Sequence, residues 1–303
     1  MTVTTPRALP PRTRIRSLIV YLTLAYSGMW LAMSPLLIKG FRRTDGRAQP
    51  GDLENLCIAA AMMAPAVAAV VVVRWVEGNS RVRDALALRL PKPWPRAVGW
   101  LLTAVAVPAG LTVATLAIGT AAGVYPFEGA SWSGATAWAG TALVQMLLSL
   151  PLFFGEELGW QGYLLPRLAQ GKGTTRTLRA YLGTGAAFAL WHLPTLLMGG
   201  QYPGEPWYVA VPAMLVSCGL ALPVFTWLRL ASGSVIPAVV GHAFVSSASV
   251  SMVREFAEPD APLEPLHMSL AGWPGWLAMA LLVAVLARTG RLALPGARTD
   301  RGL

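Results

Sequence analysis

The chain has 303 residues, 55% of them hydrophobic and only 13% charged, with a mean hydropathy of +0.54. A soluble domain carries about 25% charged residues, so the composition excludes an ordinary soluble fold and predicts an integral membrane protein. The net charge of +10 would suit nucleic acid, but its distribution along the chain assigns it elsewhere.

Residues 1–16, "MTVTTPRALPPRTRIR", form a basic, Pro-rich tail. The apolar run that follows is too long for a signal-peptide core and lacks a small-residue exit, which predicts a retained first helix. Spanning a hydrocarbon core takes about 20 apolar residues. Eight stretches fit, at 17–38, 55–73, 98–122, 135–154, 179–198, 207–228, 235–253 and 270–287. The expected fold is therefore an all-α, polytopic transmembrane helix bundle. Its expected divisions are the tail 1–16, the N-terminal helices 17–134, a core at 135–255, and a last helix with a basic tail at 256–303. Cys57 and Cys218 fall inside apolar runs and read as small core residues, not as a disulfide.

With the N-terminus in the cytoplasm, 19 of the 24 Lys and Arg lie on the inner side and 5 on the outer. The bias predicts cytoplasmic termini. The basic excess then serves orientation and contact with anionic lipid, and no nucleic-acid partner is expected. Loop 39–54, with four basic residues on the outer side, is the one conflict.

Ionisable residues within membrane segments are costly and mark function. The first three stretches have none. Glu156 and Glu157 follow Gly155 at the end of the fourth, and His192 and His242 lie in the fifth and seventh. The third histidine, His267, sits in an acidic loop and reads as solvated. Two acids opening a new helix at Gly155 would favour its positive dipole end. On an α-helix Glu156, Trp160 and Tyr163 share one face, while Glu157 and Gln161, four apart, are close enough for a side-chain hydrogen bond. One carboxylate could then face a cavity while Gln161 ties back the other. A carboxylate in a partly dry cavity makes a better general base.

Three strings carry a resemblance: Glu156-Glu157-Leu-Gly-Trp160-Gln161, Phe188-Ala-Leu-Trp-His192 and His242-Ala-Phe-Val-Ser246. Together with "EELGWQGYLLPRL" they resemble the CAAX-prenyl-protease and bacteriocin-processing (CPBP, or Abi) family of intramembrane proteases, over about residues 135–255. That family's pattern is EExxxR, FxxxH and HxxxN; Gln161 stands here for the Arg and Ser246 for the Asn. The resemblance implies a membrane-embedded endopeptidase acting on a membrane-associated peptide or protein. It assigns Glu156 to activating water, His192 to orienting it, and His242 with Ser246 to stabilising the oxyanion. Glu157 and Gln161 would shape the site, with Trp160 and Phe188 beside them.

A second scheme uses the same side chains: Glu156, His192 and His242 as ligands of a zinc ion with one open position for water. No H-E-x-x-H is present. Gln161 and Ser246 leave room for a catalytically silent relative acting as a scaffold or bacteriocin self-immunity factor. Buried Glu and His would also serve a transporter, although transport predicts polar groups spread over more helices. Ser247, Ser249 and Ser251 read as packing and hydrogen-bonding residues. The Ala-, Arg- and Gly-rich composition points to a bacterial cell membrane.

Overall fold

The computed structural model describes residues 9–44, 51–170 and 175–294. Within them the chain is helical, apart from loops and one isolated antiparallel bridge between Phe127 and Ala257. The helices are α1 (Pro11–Ile38), α2 (Asp52–Val71), α3 (Val82–Ala85), α4 (Trp94–Ala121), α5 (Trp132–Glu157), α6 (Leu165–Leu168), α7 (Arg176–Trp191), α8 (Leu193–Leu197), α9 (Trp207–Ser232), α10 (Ile236–Ala243), α11 (Ser249–Glu255), α12 (Pro265–Met268) and α13 (Trp273–Arg288). Wide π-type turns extend α2 over Val72–Val76, join α5 to α6 over Leu158–Leu164, and join α10 to α11 over Phe244–Ala248.

Each of the eight predicted stretches coincides with a helix. Six are long and apolar enough to cross a membrane: Pro11–Ile38, Asp52–Val76, Trp94–Ala121, Trp132–Leu168, Trp207–Ser232 and Ile236–Glu255. The other two, α7 and α13, have 16 residues each, about 24 Å at 1.5 Å per residue. Helix α7 breaks at His192, and α8 continues beyond it with Pro194 in its first turn. Proline lacks an N–H and cannot continue the ladder. The protein is an integral membrane protein.

One expectation about the fold is corrected. No helix begins at Gly155. The helix that starts at Trp132 runs through the glutamates and the π turn to Leu168, 37 residues in all. Glu156 and Glu157 therefore lie in mid-helix, and no free helix N-terminus is there to attract them.

Glycines set the spacing around this helix. A Cβ on Gly155 would lie 2.5 Å from the Met62 carbonyl oxygen, and one on Gly159 would lie 2.4 Å from Pro65 Cβ. Both neighbours belong to α2. Small residues one turn apart let membrane helices touch backbone to backbone. Across α1 and α2, a Cβ on Gly28 would meet Ala64 Cβ at 2.6 Å. So α2 lies tight against both α1 and the glutamate-bearing turn, and buried residues of α1, α2, α5, α7, α9 and α10 share one apolar core.

Candidate active site

Glu156 and Glu157 from α5, His192 at the α7–α8 break and His242 on α10 are 3%, 1%, 7% and 7% exposed. Four ionisable groups this deep in a membrane bundle demand partners. His242 Nδ1 lies 2.8 Å from Glu157 Oε1 and 3.9 Å from Glu156 Oε2. With the carboxylate accepting, Nδ1 carries the proton and Nε2 faces away from the pair. The ring sits in an apolar wall, with centroids 4.6 Å from Phe153, 5.0 Å from Phe225 and 5.7 Å from Phe188.

His192 owes its orientation to the break in its helix. Its backbone N–H turns to the Ala189 carbonyl, and its ring Nδ1 donates to the Phe188 carbonyl at 2.9 Å. A carbonyl can only accept, so this bond fixes the tautomer and leaves Nε2 as the free acceptor. Phe188 stands between the two imidazoles, 4.8 Å from His192 and 5.7 Å from His242. Trp160 closes the back of the site against Phe188 at 5.4 Å and Trp191 at 5.8 Å.

One i, i+4 pairing read from the sequence, and one pairing implied by the resemblance, are not made. Gln161 does not hold Glu157: its Oε1 accepts from Thr226 Oγ1 of α9 at 3.1 Å, and its Nε2 has no partner. Glu157 pairs with His242 instead. Ser246, expected to assist His242, is on an exposed face. The reason is common to both. Each pair spans the entry into a π turn, where the hydrogen bond runs to the fifth residue and the fourth no longer lies above the first. The neighbouring serines behave as read: Ser247 donates to the Ala243 carbonyl, Ser249 bonds Thr112 at 2.7 Å, and Ser251 accepts from Trp138 Nε1 at 2.9 Å. Cys57 and Cys218 are free and buried.

Among the described residues no group of three or more His, Cys, Asp and Glu side chains is arranged to hold a metal ion. In this geometry the three are not gathered around one point, and Glu156, His192 and His242 are the side chains that the zinc scheme would use.

Sequence reasoning missed Phe153, Phe225 and Thr226. Phe153 had a signal, since it lies one turn before Glu156 and Glu157. The others come from helices distant in sequence, and their roles appear only on packing.

Residues 136–248, which carry all four ionisable groups, match the family described as Type II CAAX prenyl endopeptidase, Rce1-like. Over this segment the chain is similar to that family. The match agrees with the CPBP resemblance read from the three motifs. No curated protein matches the chain.

Proposed function

We propose that the protein is a membrane-embedded endopeptidase that hydrolyses a peptide bond of a membrane-associated peptide or protein. The observation that carries this reading is the His242 ring, whose Nδ1 faces two carboxylates in a buried, aromatic-walled site. Glu156 is free for chemistry because Glu157 holds the His242 ring.

In this reading Glu156 takes a proton from a water oriented by His192 Nε2. The hydroxide attacks the scissile carbonyl carbon. Negative charge develops on the carbonyl oxygen, and His242, protonated at both ring nitrogens, donates to it through Nε2–H. The proton held by Glu156 then passes to the departing amine as the C–N bond breaks, which restores the carboxylate. Aromatic walls exclude bulk water and strengthen these interactions. A CAAX-type substrate and a bacterial cell membrane are part of the same proposal.

The test is cleavage of a membrane peptide by the purified full chain in detergent. Glu156→Gln is expected to lower kcat by roughly 10²–10⁴, and His242→Ala by about 10²–10³, both with the protein folded. Cleavage that survives Glu156→Gln rules out the base. A zinc chelator separates the two schemes: an unchanged rate favours the metal-free one, and loss on chelation, restored by zinc, favours the zinc scheme. A folded wild type that cleaves nothing, on a substrate that a related enzyme cleaves, favours the scaffold.

A further inference from the structure

Tyr21 lies on α1, outside the segment that matches the family. It is fully buried, with its ring 4.5 Å from Tyr163 and 6.0 Å, edge-on, from Trp160. Its hydroxyl stands over Gly159, where a Cβ would come within 2.5 Å of it. Glu157 lies two residues before Gly159 on the same helix.

The hydroxyl has no hydrogen-bond partner among the described residues. Glu157 gives Oε1 to His242, and its Oε2 has none. Trp160 Nε1 and Gln161 Nε2 are also buried without a partner. Leaving such atoms dry is costly. A buried water typically makes about three hydrogen bonds to groups of this kind. Here a buried acceptor and several donors surround one turn of helix.

We propose that Tyr21 is a positioning residue: through one ordered water its hydroxyl holds the free oxygen of Glu157, and so fixes the His242 ring. The phenol donates to the water, and the water donates to Glu157 Oε2. Gln161 faces Thr226, so this oxygen is held from α1 rather than from its own helix. The role in catalysis rests on the endopeptidase reading; the link between Tyr21 and Glu157 does not.

Tyr21→Phe removes one oxygen and keeps the ring packing. It is expected to lower kcat roughly tenfold with KM nearly unchanged, as misplacement of a reacting group does. If Tyr21 only packs, kcat stays at the wild-type value, and that result overturns the proposal. The companion measurement needs no substrate. Thermal unfolding in detergent of Tyr21→Phe, Glu157→Gln and the double variant closes a cycle. Non-additive shifts are expected, and additive shifts overturn the link. Should the wild type cleave nothing, the endopeptidase reading falls while the cycle still decides the link.

Discussion

At the scale of single residues, the partner of each carboxylate assigns its work. Glu157 holds His242, and in the proposed mechanism this spares Glu156 for proton transfer. Ser246 takes no part in this geometry. Although it stands four residues after His242, the π turn carries it to an exposed face. Ser246→Ala is therefore expected to cost no more than the roughly 0.5 kcal/mol usual for a surface substitution, and to leave peptide cleavage near the wild-type rate. Steady-state kinetics beside His242→Ala checks this; a loss as large as that of His242→Ala would return Ser246 to the oxyanion site.

At the scale of elements, the contact between α2 and the glutamate-bearing turn is made by glycine. Gly159→Ala would put a methyl 2.4 Å from Pro65 Cβ and 2.5 Å from the Tyr21 hydroxyl. Overpacking of this kind costs about 1–3 kcal/mol or more, and here it would also displace the carboxylates. Gly140→Ala, on the same helix, meets nothing within 4 Å and serves as the control. Gly159→Ala is expected to lower both the unfolding temperature and cleavage, whereas Gly140→Ala changes neither. A second device joins α6 to the end of α2. Arg167, 2% exposed, donates to Glu77 at 2.7 Å and lies over the Tyr163 ring at 4.7 Å. Tyr163 also donates to Glu77, at 3.1 Å. Removing one partner of a buried pair leaves the other charge uncompensated, at about 3–5 kcal/mol. Glu77→Ala is expected to lower stability by that order in detergent unfolding, and Glu77→Leu with Arg167→Met by clearly less. Equal losses would show that packing, not the charge, dominates.

At the scale of the whole molecule, the charge bias predicts both termini in the cytoplasm. The conflicting loop 39–54 has a structural use for two of its arginines. Arg42 donates to the Leu197 carbonyl, while Arg43 gives its backbone N–H to Met198 O at 2.8 Å and its guanidinium to Gly200 O at 3.1 Å. These carbonyls end α8 and the turn after it, where positive charge is favourable. The arginines thus cap the segment that follows His192, and their presence on the outer side need not reverse the topology. Single cysteines placed in the 123–134 loop and after Arg288, in a background without Cys57 and Cys218, are expected to label from opposite sides of the membrane. Labelling from the same side would overturn the placement of an odd number of spans.

The sequence by itself determined that this is a helical membrane protein, where its apolar helices lie, and that Glu156, Glu157, His192 and His242 are among its buried ionisable residues. These follow from composition and from local hydropathy, which a helix in lipid must satisfy whatever its neighbours are. Only the tertiary structure decided which carboxylate meets His242, that Gln161 turns to Thr226, that Ser246 faces out, and that Tyr21 reaches the glutamate turn. Two physical reasons account for the difference. The 3.6-residue period that licenses an i, i+4 argument fails where the helix widens into a π turn. And contacts between helices distant in the chain depend on how closely their backbones approach, which at Gly155 and Gly159 is set by α2.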